Sequence, residues 1–97
     1  MVKIVWTSQA IEDFESICQF IEKDSRYYSS LFANKIFEAV DDIQKFPQIG
    51  RILPEKNQDN IREILLGNYR IIYRLHESFL EILSIYHGSR LINPENY

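Results

Sequence analysis

The spacing of apolar residues changes at Phe46-Pro47, and this change is the feature that most constrains the fold. Before it, apolar side chains recur every three or four residues, which is typical of amphipathic helices. After it, short apolar or alternating stretches are separated by turn residues, which is typical of strands. Pro47 marks the boundary because proline has no backbone N–H with which to continue a helix. The sequence therefore predicts a helical first half and a sheet formed mainly by the second half.

Two helices are predicted in the first half, after a short strand over residues 2–6. Thr7 or Ser8 can cap the first helix, because a small polar side chain accepts a hydrogen bond from a free N–H group of the first turn. Asp24-Ser25 interrupts the apolar pattern and offers a second cap. The two apolar stripes consist of Ala10, Ile11, Phe14, Ile17, Cys18 and Ile21, and of Tyr28, Phe32, Ile36, Val40 and Ile43. The short connection between them predicts an antiparallel helical hairpin.

Three further strands are predicted in the second half, over residues 61–66, 69–76 and 79–87. Gly67-Asn68 is typical of a two-residue hairpin turn, and Glu77-Ser78 provides a second turn. With the strand at residues 2–6, these elements predict an α+β fold in the order β-α-α-β-β-β. In this fold an antiparallel two-helix hairpin packs on one face of a mainly antiparallel four-stranded sheet. Residues 1–97 are expected to form a single domain.

Two-residue turns also fix a register for the sheet. They place Leu66 opposite Tyr69, Leu75 opposite Leu80 and Ile71 opposite Ser84. In this register the helices cover one face, and the other face carries five aliphatic side chains: Ile61, Leu65, Ile72, Leu83 and Ile85. A monomer of this size rarely exposes such a patch without a partner. The sequence therefore predicts a protein-binding surface on the uncovered face.

Arg70 and His87 are the candidate chemical groups on the same face. The register places Arg70 opposite Ile85 and diagonal to His87. A histidine that exchanges a proton, beside an arginine that stabilises charge on phosphate, would suit phosphodiester chemistry. A structural interpretation is equally concrete, with Arg70–Glu63 as a cross-strand ion pair and His87 as a hydrogen-bonded strand end. Arg74 and Glu81 would form another such pair, and spacing alone favours this structural interpretation.

The composition narrows the classes of function. The chain has a net charge of −3, which is unfavourable for a nucleic-acid-binding protein because affinity for phosphates comes mostly from cations. Five of its six arginines nevertheless follow residue 50, which suggests a site in the second half. Cys18 is the single cysteine; it permits no internal disulfide and is expected to be a small buried residue.

Several kinds of site and location are not expected from the sequence. No phosphate loop, metal-ligand spacing or cofactor motif is present, so no cofactor and no metal are expected. No apolar run approaches the roughly 20 residues that span a bilayer. The first residues become polar too soon for a secretory signal. A cytoplasmic protein with no membrane association is therefore expected.

A series of short motifs extends over nearly the whole chain: Val5-Trp6-Thr7 with Ala10-x-x-Asp13, Phe46-Pro47-x-x-Gly50-Arg51, Ile61-Arg62-Glu63, Tyr69-Arg70-Ile71-Ile72-Tyr73-Arg74 and Ile82-Leu83-x-Ile85-x-His87-x-x-Arg90. In this order and at this spacing, they resemble the RelE/ParE superfamily of toxins from type II toxin–antitoxin modules, plasmid stabilisation proteins among them. The resemblance implies the β-α-α-β-β-β fold predicted above. It also implies a cognate antitoxin whose tail wraps the toxin, with a heterotetramer as one possible assembly. The antitoxin would then cover the aliphatic residues of the open face.

The superfamily has two branches, and the resemblance implies different residue roles in each. In RelE-like members, which cleave mRNA on the ribosome without a metal, Arg70 and His87 would be catalytic. Arg51, Arg62 and Arg90 would contact RNA or another target. ParE-like members inhibit DNA gyrase without catalysis.

Three features favour the ParE-like branch. These are the acidic net charge, a loop at residues 53–57 without a lysine cluster, and the segment His87-Gly88-Ser89-Arg90. A ribosome-dependent mRNA endonuclease is the alternative function. A toxin that has lost its toxicity and keeps only antitoxin binding is a third.

Overall fold

The sheet has five strands, and its strand order places the last strand in the interior. The computed structural model describes residues 2–88 and 92–97. Its elements are β1 (Lys3–Trp6), α1 (Ser8–Glu22), α2 (Arg26–Lys45), β2 (Arg51–Ile52), β3 (Ile61–Leu66), β4 (Tyr69–Leu75), β5 (Phe79–His87) and a 3₁₀ turn (Pro94–Asn96). The strand order is β1-β5-β4-β3-β2, with β1 parallel to β5 and the other neighbours antiparallel.

The predicted α+β class and element order are confirmed, and the strand count differs by one. The additional strand is β2, whose Arg51 and Ile52 pair with Glu63 and Arg62 at the edge of the sheet. This strand has no signature in the sequence, because two residues in a polar loop have no periodicity. Neither of the described helices contains a stretch long and apolar enough to cross a membrane.

The helix caps lie where the sequence predicts them. Thr7 Oγ1 accepts a hydrogen bond from the Ala10 N–H at 3.0 Å, and Ser25 Oγ accepts one from the Tyr28 N–H at 3.1 Å. Thr7 has a second function, because its hydroxyl donates to the carbonyl of Leu83 at 2.9 Å. The start of α1 is therefore joined directly to β5.

The core between the helices and the sheet follows the predicted apolar stripes. Its buried members are Ala10, Phe32, Ile36, Ala39, Val40, Ile43, Ile71, Tyr73, Leu80, Ile82 and Ile85. Ile11 of the first stripe and Tyr28 of the second are exceptions, since both are exposed. Cys18 packs against this core, and burial raises the pKa of its thiol, as expected for a structural cysteine.

A β-bulge in β5 corrects part of the predicted register. The pair Tyr73–Ile82 is as predicted, but the next pair is Ile72–Ser84, so Leu83 is an extra residue on β5. One extra residue moves all following side chains of a strand to the other face of the sheet. The predicted pair Ile71–Ser84 is therefore wrong, and Ile71 lies opposite Ile85.

The bulge is stabilised by the first turns of α1. Thr7 binds the carbonyl of Leu83, and Asp13 Oδ2 accepts a hydrogen bond from the Ile85 N–H at 3.0 Å. Both side chains belong to the motif around Ala10 that the sequence analysis singled out. That motif therefore fixes the irregular part of a strand more than 70 residues away along the chain.

The face opposite the helices is covered by the chain itself, so the predicted exposed aliphatic patch is wrong. Leu53 from the loop between β2 and β3, and Ile92 and Tyr97 from the last described segment, pack on it. They bury Ile61, Ile72 and Leu83. Ile85 lies on the helix side because of the bulge. Of the five aliphatic residues only Leu65 is exposed, at 56%.

Candidate functional site

Four charged side chains of alternating sign form a row near the β3–β4 turn, on the face of the sheet opposite the helices. Arg70 Nη1 and Nη2 donate to the two carboxylate oxygens of Glu55, each at 2.9 Å. Arg70 Nε donates to one oxygen of Glu63, and Arg51 Nε donates to the other. Strand pairing places Arg51, Glu63 and Arg70 together, since Arg51 is opposite Glu63 and Arg70 is diagonal to Glu63.

Burial of these groups is graded along the chain of charges. The Glu63 side chain is fully buried and that of Arg70 is 10% exposed, whereas those of Glu55 and Arg51 are 31% and 58% exposed. A buried charge requires a charged or hydrogen-bonded partner. Glu63 therefore forms the centre of the cluster, with Glu55 and Arg51 at its two accessible ends.

The hydrogen bonds between Arg70 and Glu55 favour the ionised forms of these two side chains. The hydrogen bonds from Arg70 lower the pKa of Glu55 below its ordinary value, although partial burial opposes this effect. The hydrogen bonds from Glu55 in turn raise the pKa of Arg70. The pair is therefore a charge-assisted, two-point interaction, which is the stronger kind of hydrogen bond.

Three of the four charged residues, Arg51, Glu55 and Arg70, line an open groove of about 540 Å³, which we call the Arg70 groove. Its lining includes Arg51, Glu55, Asn68, Arg70, His87 and Gly88. His87 reaches the groove from the helix side of the sheet, because it pairs with Tyr69 and contacts that ring at 5.4 Å between centroids. The predicted register, with Arg70 opposite Ile85 and His87 on the same face as Arg70, is wrong. After the bulge Arg70 lies opposite Tyr86, and His87 lies opposite Tyr69, which packs on the helix-side core. Arg70 and His87 therefore both line the groove, although they lie on opposite faces of the sheet.

Arg62 is hydrogen-bonded to the loop before β2 and to the loop between β2 and β3. Its guanidinium donates to the carbonyl of Gly50 at 2.9 Å, to that of Asp59 at 3.1 Å and to the Asp59 carboxylate at 3.0 Å. Its side chain is mostly buried, and its pairing with Tyr73 confirms the predicted core-side position. Arg62 thus stabilises the loops that precede β2 and β3.

The other predicted charged residues have simpler positions. The predicted ion pairs Arg70–Glu63 and Arg74–Glu81 are both confirmed, the second at 3.5 Å. Arg90 lies outside the described residues.

The motif Phe46-Pro47-x-x-Gly50 positions Arg51. The Gly50 N–H donates to the Tyr73 hydroxyl at 2.9 Å, and that hydroxyl donates to the Pro47 carbonyl at 2.8 Å. A Cβ atom at Gly50 would lie 2.6 Å from Tyr73 Oη and 2.7 Å from the carbonyl oxygen of Glu63. Glycine is therefore required here by the close approach of the loop to β3 and β4.

Several residues of the site were missed by sequence analysis. Glu55 lies in an aperiodic loop, so no pattern associates it with Arg70. Leu53, Ile92 and Tyr97 likewise come from segments without regular structure, although their apolar character was visible. Tyr97 shares a hydrogen bond with Ser84, and burial raises the pKa of its phenol.

Comparisons of the sequence with known proteins find toxins. The sequence model of the family described as ParE toxin of type II toxin-antitoxin system, parDE, matches residues 4–92. The toxin RelE2 of Caulobacter vibrioides is 27% identical over 92 residues, which cover 94% of this chain and 100% of that protein.

Solved structures share the fold. A chain of the chromosomal ParDE system of P. aeruginosa has a TM-score of 0.72 at 20% identity, over 90% of this chain and 96% of that one. A mutant of the E. coli toxin RelE, solved with an antitoxin RelBc peptide, has a TM-score of 0.66 at 12% identity, over 92% and 85%. These structures share the fold, and the family match over residues 4–92 establishes that the chain belongs to the ParE toxin family of type II toxin–antitoxin systems, within the RelE/ParE superfamily.

Proposed function

We propose that this toxin inhibits DNA gyrase by binding to it, with no catalytic step of its own. The observation that carries the proposal is the state of Arg70, whose guanidinium is held by Glu55 and Glu63. A nuclease would need this group to stabilise charge on the scissile phosphate. In the present arrangement the phosphate would first have to displace a carboxylate that is bound at two points.

Other features support the same proposal. Arg62, expected to contact RNA in a nuclease, instead donates hydrogen bonds to backbone carbonyls of two loops. The net charge of −3 is unfavourable for binding mRNA. The match to the ParE toxin family is consistent with gyrase as the target, because the resemblance to ParE-like toxins implies that target.

We propose that a cognate antitoxin neutralises this toxin. Several structures with the same fold are described as toxin–antitoxin complexes, among them RelBE2 of Mycobacterium tuberculosis and DinJ-YafQ of E. coli. Among the predicted antitoxin contacts, Leu65 offers an exposed apolar side chain, and Ile52 on the neighbouring strand is also exposed. We therefore place direct antitoxin contact at this edge of the sheet. Ile61, Ile72 and Leu83 are buried with Leu53 and Ile92, and Ile85 is buried on the helix side, so we propose no direct antitoxin contact at these four residues.

A supercoiling assay tests the proposed target directly. Purified gyrase, relaxed plasmid and increasing amounts of the toxin are incubated together, and supercoiled product is expected to decrease as toxin increases. Unchanged supercoiling at a large molar excess of toxin would contradict the proposal. In growing cells, DNA synthesis is expected to fail before protein synthesis.

The alternative function is a ribosome-dependent mRNA endonuclease. Its specific support is the presence of Arg51, Arg70 and His87 in one groove, together with the likeness to the toxin RelE2. His87→Gln separates the two functions, because a histidine that transfers protons cannot be replaced by an amide. His76→Gln at the β4–β5 turn is the matched control. Loss of toxicity in His87→Gln alone, with the fold intact, would favour the nuclease.

A further inference from the structure

A pocket of about 260 Å³ lies between α1 and the end of β5. Asp13, Ser16 and Phe20 line it from α1, at the three- and four-residue spacing that places side chains on one face of a helix. The strands contribute Tyr69, Ile85 and His87. We call this cavity the Asp13 pocket.

The pocket exists because β1 is shorter than β5. β1 pairs with β5 only as far as Ile82, so the next part of β5 has no strand on that side within the described sheet. Asp13 takes the place of a strand there, since its Oδ2 accepts the hydrogen bond from the Ile85 N–H at 3.0 Å. The N–H and C=O of one strand residue point to the same edge of a sheet, so the Ile85 carbonyl also points toward this edge. The pocket thus offers two kinds of acceptor, a carboxylate and a strand carbonyl.

Asp13 is a half-buried carboxylate that forms no ion pair with any residue the structure describes. Its Oδ1 accepts a hydrogen bond from the side-chain amide of Gln9 at 2.7 Å, so both of its donors are neutral. The strand carboxylates Glu63 and Glu81, by contrast, each contact an arginine. An ionised carboxylate has about four acceptor sites. Asp13 therefore has both the charge and the acceptor capacity to bind a cation.

The remaining lining also favours a cation. Phe20 lines the pocket while 67% exposed, which places its ring at the entrance. The Tyr69 ring is held by Phe32 and His87, at centroid distances of 4.9 and 5.4 Å. Aromatic faces attract cations, and among the described residues no lysine or arginine lines the pocket. Ser16 adds a hydroxyl, so a carboxylate, a carbonyl and a hydroxyl match the three donors of a primary ammonium group.

We propose that the Asp13 pocket binds a primary ammonium group on a short alkyl chain. The source is a free alkylamine or the lysine side chain of another protein, which present the same charged end. A small ligand suits the cavity, because pockets for drug-sized molecules measure about 300 to 1,000 Å³. The ligand uses acceptor sites that Gln9 and the Ile85 N–H leave open, so the β-bulge is kept. Neither Arg70 nor Glu55 takes part, and the inference is therefore independent of the proposed function.

Titration of the isotope-labelled protein with n-butylamine tests the proposal, with the amide resonances of Ser16 and Ile85 as the readout. At fixed pH and ionic strength, these resonances are expected to shift until the pocket is saturated. n-Butanol has the same alkyl chain without the charge and is expected to bind about tenfold more weakly. Equal affinity for the two compounds would overturn the proposal, because the pocket would then be only an apolar cavity.

A charge variant with a matched control tests the role of Asp13. Asp13→Asn removes the charge and keeps an oxygen that can accept from the Ile85 N–H, and it is expected to bind n-butylamine about tenfold more weakly. Glu12→Gln makes the same change in net charge on the exposed side of α1 and is expected to leave the affinity unchanged. An equal loss in Glu12→Gln would contradict the proposal, since the general surface charge would then attract the amine.

Phe20→Leu tests the same pocket without touching the β-bulge, because the ring is exposed. Loss of its contact with the cation is expected to weaken n-butylamine binding about threefold and to leave n-butanol binding nearly unchanged. Unchanged n-butylamine affinity in this variant and in Asp13→Asn would overturn the proposal.

A second probe distinguishes the two sources of the ammonium group. N-acetyl-lysine methylamide carries the same alkylammonium chain on a peptide backbone. If it binds more tightly than n-butylamine, the ligand is a lysine side chain of another protein. If it binds equally or more weakly, the ligand is a free alkylamine.

Discussion

The two faces of the sheet bury apolar surface in different ways. On the helix side, α1 and α2 supply side chains at regular spacing, and the core is one continuous apolar cluster. On the opposite face, Leu53 and Ile92 come from segments without regular structure, and a cluster of four charges lies beside them. The comparison shows that hydrophobic periodicity identifies the apolar faces of helices and strands, whereas the loop residues that cover one of those faces have no periodic pattern.

The largest expected effect tests whether the opposite face is a real core. Leu53→Ala removes a fully buried side chain that contacts the smaller cluster. We expect a loss of about 3 kcal/mol in the free energy of unfolding, as for other buried leucines. Urea denaturation measures it, with the exposed Leu65→Ala as the matched control. Equal small effects in the two variants would mean that the loop covers the face only loosely.

The second largest loss in the free energy of unfolding is expected at Gly50, where the loop before β2 lies close to β3 and β4. Gly50→Ala places a methyl group against the Tyr73 hydroxyl and a carbonyl of β3, so the loop must move. Overpacking of this kind costs about 2 kcal/mol. The same assay compares it with Gly67→Ala, where the added methyl meets nothing within 4 Å and only the positive φ of 59° opposes it. A larger loss for Gly67→Ala would show that backbone conformation matters more than contact.

The β-bulge in β5 shifts the following side chains to the opposite face of the sheet, and the hydrogen bond from Asp13 that stabilises it contributes less to the free energy of unfolding than the two preceding features. Asp13→Ala leaves the Ile85 N–H without its acceptor, which costs about 1 kcal/mol. Because the bulge carries His87 to its position, we also expect the amide resonances of β5 to shift. Glu12→Ala, its exposed neighbour, is the control and is expected to leave those resonances in place.

The smallest expected effect is a decrease in the free energy of unfolding at alkaline pH. It arises from one buried tyrosine on each face of the sheet. Burial raises the pKa of Tyr73 on the helix side and of Tyr97 on the other, from an ordinary value of 10.0. Since folding favours the neutral phenols, their contribution is complete below pH 10 and is lost as the pH rises through the raised values. Unfolding measurements between pH 8 and 11 are expected to show this decrease, with a smaller slope in Tyr97→Phe. An unchanged slope would place the Tyr97 phenol in water.

Sequence patterns predicted the regular part of this protein. The pairs Leu66–Tyr69 and Leu75–Leu80 follow from turn length, and both are confirmed. Ile85 was placed on the wrong face because the bulge is stabilised by Thr7 and Asp13, which are distant in the sequence. Glu55 was missed for a related reason, since a loop side chain is positioned by tertiary contacts and not by spacing.

The interior position of β5 also determines when this protein can fold. Thr7 and Asp13 bind groups on β5 that lie 76 and 72 residues further along the chain, and β1 pairs with no other strand than β5 within the described sheet. Contacts between residues so far apart in sequence make folding slow, because a long segment must be ordered before they form. The ribosome must therefore synthesise β5 before the sheet can close. A nascent chain accordingly has no complete toxin fold, which delays any harm to the cell until synthesis has passed that strand.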